Sequence, residues 1–140
     1  MTDTLDSNSE NTQRNREQVI ELSEEIQTFI VKGEVPRMYE GEMEVEAVFA
    51  NNSYTISTLR YRSTRSLGPN PLFKVECPST AVSSIIPRND RNWHAWKACN
   101  TTPISMGTTY KFVFIFTKPS SGLEYSDSVS VTFGVGAPPQ

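Results

Sequence analysis

GEMEVEAVFANNSYTISTLRYRS, residues 41–63, alternates acidic and apolar side chains, pauses at two asparagines, and then alternates again. A period of two marks a half-buried strand on each side of the pause, and asparagine tolerates the left-handed backbone of a tight turn. A loop of Asn51, Asn52 and Ser53 predicts a hairpin with Ala50 opposite Tyr54. That register sets Glu42 against Arg62, Glu44 against Arg60 and Glu46 against Thr58. It also sets Met43 against Tyr61, Val45 against Leu59 and Val48 against Ile56. Charges meet charges and apolar groups meet apolar groups, as cross-strand pairing prefers. A slip of one residue would lose the match.

The pairing changes how the basic residues read. Arg60, Arg62 and Arg65 around Tyr61 have the make-up of a strip that holds a phosphate backbone. Carboxylate partners across the hairpin make Arg60 and Arg62 surface ion pairs instead.

Downstream, LGPNPLF is a Pro/Gly connection, and short strands fit 72–77 and 81–86. Residues 108–117, TTYKFVFIFT, read as a central strand that is apolar on both faces, and 125–135 alternate Val129, Val131 and Phe133 with Ser128, Ser130 and Thr132. The expected fold class is mainly β. It is an antiparallel β-sandwich of the immunoglobulin or fibronectin kind, with six or seven strands spanning 37–135. A small open barrel is the alternative.

Upstream, residues 15–33 place Val19, Leu22, Ile26 and Phe29 at three- and four-residue steps, the spacing of one helical face. Asn15 with Gln18 would cap that helix, and Gly33 would stop it. One amphipathic α-helix is therefore expected ahead of the strands. Its apolar face either packs on its own domain or forms a two-heptad seam for self-association. Residues 1–14 have little apolar content and read as a disordered acidic tail, and 136–140 read as a frayed end.

Residues 1–36 carry eight acidic and three basic side chains, a net −5, and the remainder carries a net +2. Neither value suits a dedicated nucleic-acid binder. The sequence shows no apolar run of membrane-spanning length and no signal-peptide layout, so the expected location is cytoplasmic or nuclear. For a viral component that means the host cytoplasm or the virion. Cys77 and Cys99 then read as buried thiols.

Chemical side chains concentrate in RNDRNWHAWKACN, residues 88–100, which hold both tryptophans and the only histidine. One histidine excludes a multi-histidine metal site, and two cysteines 22 residues apart lack zinc-finger spacing. No glycine-rich phosphate loop and no G-x-S-x-G is present, so no catalytic residue, metal or cofactor is assigned. The candidate ligand-binding residues are Arg91, Trp93, His94, Trp96 and Lys97. As a strand, this stretch would send Trp93 and Trp96 to opposite sides; as a helical turn it would join them into one aromatic patch. Trp96 reads as core and Trp93 as the open case.

The expected function is that of a non-catalytic interaction or assembly protein, such as a small viral or other structural component. It would self-associate into a homo-oligomer through the helix face (Val19, Leu22, Ile26, Phe29) or a sheet surface, with a protein partner as a further option. The alternative is a lectin-like module that holds a glycan on the aromatic patch. A weaker one is a single-strand nucleic-acid binder.

Overall fold

The structure, a computed structural model, describes residues 12–22, 26–79, 81–119 and 121–135. Ten strands lie among them: β1 (Gln13–Leu22), β2 (Ile26–Val35), β3 (Tyr39–Ala50), β4 (Ser53–Ser63), β5 (Leu72–Glu76), β6 (Val82–Ile85), β7 (His94–Ala95), β8 (Cys99–Pro103), β9 (Thr109–Thr117) and β10 (Glu124–Val135). One sheet runs β1-β10-β9-β5-β6, and the other runs β2-β3-β4 with β7 and β8 both paired to β4.

A single core lies between the sheets. Phe112, Phe114, Phe116, Val129, Val131 and Phe133 line it from the first sheet, and Val31, Met43, Val45, Ala47, Ile56 and Tyr61 from the second. Rings meet across the gap: Phe29 lies 5.8 Å from Phe133, and Tyr61 lies edge-on to Phe73 at 5.8 Å. Burial of this kind supplies the main driving force. It also dictates which strand faces turn inward.

The expected helix is not formed: residues 15–22 belong to β1 and residues 26–33 to β2, while residues 23–25 lie outside the described residues. Val19, Leu22, Ile26 and Phe29 therefore share no face. Leu22 is buried and Phe29 packs against the core, while Val19 and Ile26 are 72% and 66% exposed. Their spacing mimics a helix, but Val19, Ile20, Ile26, Thr28, Ile30 and Val31 are β-branched and suit a pleated surface. Long-range ladders with β10 and β3 complete the override. Asn15 caps no helix; its Oδ1 accepts from the hydroxyls of Ser128 and Ser130 on β10. Gly33 stops no helix either. It lies within β2, where Phe114 carbons come within 2.1 Å of the place a Cβ would occupy.

Three further expectations change. The β-sandwich begins before residue 37, since β1 and β2 belong to its sheets, and Gln13 and Arg14 belong to β1 rather than to a tail; residues 1–11 and 136–140 lie outside the described residues. The strands number ten among the described residues rather than six or seven. Finally, β1 runs parallel to β10, so the first sheet is mixed rather than antiparallel. The second sheet is a β2-β3-β4 meander. An immunoglobulin domain instead interleaves strands distant in sequence there.

The hairpin of residues 41–63 forms, with one correction. Glu42 pairs with Arg62 and Glu44 with Arg60 as expected, but the register shifts between Glu44 and Val45. From there Val45 faces Thr58, Ala47 faces Ile56 and Ala50 faces Ser53. The loop is therefore two residues long, with Asn51 at φ 54° and Asn52 at φ 59°, the two left-handed centres of a type I′ turn. Leu59 is the extra residue, a β-bulge. The bulge has a clear cause: Tyr54 and Ile56 are even-numbered and Tyr61 is odd-numbered, yet all three are buried. An unbroken strand cannot turn all three inward.

At the bulge the Thr58 hydroxyl takes part in the ladder, donating to the Trp96 carbonyl at 2.7 Å and accepting from the Ala98 amide at 2.9 Å. The strand beside β4 thereby splits into β7 and β8. Because a type I′ turn favours glycine at its second centre, Asn52→Gly should raise stability by about 0.5–1 kcal/mol. Urea denaturation checks this; an unchanged or lowered midpoint would contradict the turn assignment.

Candidate functional site

Two clusters of polar side chains stand out, and only one was legible beforehand. The unanticipated cluster centres on Asp127, which is 1% exposed. On β10 it holds the inward phase of Tyr125, Val129, Val131 and Phe133, a carboxylate in an apolar row. Arg14 of β1 reaches it with Nε at 2.9 Å and Nη2 at 2.8 Å, a bidentate fork. Arg16 Nη2 adds a third bond at 3.0 Å, and the backbone amide of Glu34 on β2 donates a fourth at 2.7 Å. Arg16 Nη2 also donates to the Lys32 carbonyl of β2. The carboxylate partner raises the Arg14 pKa above its ordinary value, chiefly through the side-chain bond to Asp127.

Two edge strands from different sheets are thus tied to one carboxylate. Beside it lies a cavity of about 210 Å³ lined by Thr12, Arg14, Glu34, Tyr125, Ser126 and Asp127. The cluster is a clamp, with opposite charges matched at its centre. The signal for it in the sequence was the alternation of residues 125–133, which already placed Asp127 on the apolar phase.

Residues 88–100 form the second cluster. They bend over 89–92, with Arg91 at φ 64°, and then lie along β4, with His94 beside Tyr61 and Ala95 beside Arg60. Side-chain oxygens of the second sheet hold the approach: Tyr61 Oη accepts from the Arg88 amide at 2.8 Å, and Ser63 Oγ from the Arg91 amide at 2.9 Å. Asp90 accepts from the Asn92 amide at 3.0 Å and contacts His94 Nε2 at 2.7 Å.

The tryptophans separate, as an extended path requires. Trp96 packs against the core. Trp93 is half-buried, and the guanidinium groups of Arg60 and Arg62 lie over its ring at 4.2 and 4.5 Å from the centroid. Both arginines also hold carboxylates, Arg60 Nε to Glu44 and Arg62 Nε to Glu42, each at 2.8 Å. Glu42 is 8% exposed although it sits on an outer sheet face, under the side chains of this network. Trp93 therefore lies with Arg60 and Arg62, His94 lies apart from it beside the Tyr61 ring at 5.4 Å and against Asp90, and Trp96 joins neither group. Arg91 and Lys97 are exposed at the margins.

Among the described residues, no group of three or more His, Cys, Asp or Glu side chains is placed to hold a metal ion, and no helix is long and apolar enough to cross a membrane. Comparison of the chain with protein-family models, curated proteins and solved structures finds no match in any of the three.

Asp127→Asn should destabilise the fold by about 3 kcal/mol, the low end for breaking a buried ion pair, because Arg14 and Arg16 keep over a third of their side chains in solvent. Urea denaturation measures it, and a loss under about 1 kcal/mol would mean that the clamp is a surface pair. The Asp90 carboxyl is held below the usual aspartate range, first by the Asn92 amide and then by His94. A depressed acid keeps its contacts above its ordinary pKa and loses them as pH falls through the folded value. NMR titration should therefore place the Asp90 midpoint below that of a free aspartate, with the Asn92 amide shift following it. A midpoint at or above the free value would contradict the Asn92 amide–Asp90 hydrogen bond.

Proposed function

We propose that this protein is a non-catalytic interaction component, a β-sandwich that works by self-association through a sheet surface. The observation that carries this reading is the outer margin of the second sheet. On its terminal strand β2, Ile26 is 66% and Ile30 is 42% exposed. Isolated apolar side chains on a surface are ordinary. Two of them flanking a threonine on a ten-residue terminal strand are a different matter, since such an edge accepts another strand unless it is covered.

The lectin-like reading is weaker. A sugar stacks on an open aromatic face, and two guanidinium groups already lie over the Trp93 ring. The nucleic-acid reading is weaker for the same reason, since the Nε atoms of Arg60 and Arg62 are engaged by Glu44 and Glu42.

Light scattering on the full chain over a hundredfold concentration range tests the proposal. The expected result is a mass that climbs above the 15.7 kDa monomer as concentration rises, with Ile26→Lys/Ile30→Lys held at the monomer. A wild-type mass that stays monomeric throughout would overturn it.

A further inference from the structure

Only part of the β2 edge is open, and the Asp127 clamp sets its limit. In an antiparallel strand the N–H and C=O of one residue point to the same side. The Glu34 amide donates to Asp127 and the Lys32 carbonyl accepts from Arg16, so neither points to β3. By the period of two, the backbone groups of Ile26, Thr28 and Ile30 face the same outer side. β2 is the terminal strand of its sheet, and among the described residues nothing bonds to those three. The edge is therefore closed at Lys32 and Glu34 and, among the described residues, open over residues 26–30.

The open stretch is self-complementary. Resting on the self-association reading above, we infer that β2 pairs antiparallel with β2 of a second copy, with a two-fold axis at Thr28. Ile26 then lies opposite Ile30 of the second copy, Thr28 opposite its own counterpart, and Ile30 opposite Ile26. All three open residues on each copy find backbone partners, and the outward side chains match isoleucine to isoleucine and threonine to threonine. An axis at Ile30 would set Thr28 against Lys32, whose carbonyl Arg16 occupies, and Ile26 against Glu34, whose amide Asp127 occupies. A pairing that sets an even-numbered residue against an odd-numbered one is ruled out, because it would present backbone groups already bonded to β3. An axis at Phe29 would set Ile26 against Lys32, whose carbonyl Arg16 occupies. Such an interface is isologous and closes as a dimer. Its contact is short, well below the roughly 1,200 Å² of a stable complex, so the dimer is weak and dependent on concentration.

Two measurements on the full chain test the register. In hydrogen exchange, the amides of Thr28 and Ile30 should slow about tenfold or more between dilute and concentrated samples, while those of Phe29 and Val31, bonded to β3, stay unchanged. In the second, Thr28→Cys is oxidised at high concentration and the linked peptides are mapped. An antiparallel pair on a two-fold axis brings the Cα atoms to about 5.5 Å, within disulfide reach. A disulfide joining the substituted position of one copy to the same position of the other should therefore dominate. Val19→Cys, on the other sheet, should give no comparable link. Circular dichroism checks that both variants keep the wild-type fold. If the protein dimerises but Thr28 and Ile30 exchange as before and T28C forms no such link, the register is wrong and self-association stands. If the protein is monomeric at every concentration, both fail.

Discussion

A carboxylate buried between two sheets is costly unless every lone pair is met, and Asp127 is met by two arginines and a backbone amide. Much follows from that one group. β1 joins its sheet only through a parallel ladder to β10, the slightly weaker kind of pairing. Arg14 and Arg16 give β1 a second hold, on β2 in the other sheet. The same bonds saturate part of the β2 edge. A single charge thus fastens the first strand, joins the sheets where their margins meet, and decides how much of one edge is left for another chain.

The β-bulge at Leu59 does comparable work on the opposite margin. One extra residue turns Tyr54, Ile56 and Tyr61 to the same interior and breaks the neighbouring strand into β7 and β8. Residues 94–95 and 99–103 pair with β4 on either side of the bulge. Trp93 then rests with the arginines of the hairpin and Trp96 turns to the core. What looked in the sequence like a chemical centre is tied to the surface of its own sheet, by Tyr61, Ser63, Arg60 and Arg62. The two margins therefore differ in kind. One is dressed with side chains from a long connection, and the other keeps a short apolar opening.

Much of the fold was legible because it depends on local rules. The alternation of residues 41–63 gave the hairpin and two of its ion pairs, and β9 and β10 fell close to their expected limits. Failures came where two readings fit one pattern. Val19, Leu22, Ile26 and Phe29 satisfy a helical period, and only the ladders to β10 and β3 show that alternation governs them. The bulge and Asp127 were written in the sequence but unread. Both appear as conflicts of phase, a tyrosine out of step in one strand and a carboxylate in step with apolar neighbours in the other.

The sequence by itself determined that the chain is mainly β, that Asn51 and Asn52 turn a hairpin, and that Glu42 and Glu44 meet Arg62 and Arg60. Each of these rests on residues near in the chain, where side-chain period and turn chemistry suffice. Only the tertiary structure decided that residues 15–22 and 26–33 are strands in different sheets, that Arg14 and Arg16 serve Asp127, and that the β2 edge is open over three residues among those described. Those outcomes turn on partners remote in the chain, and Asp127 is 113 residues from Arg14 and 111 from Arg16. Local propensity does not carry that information, because a strand is settled by the ladder it joins.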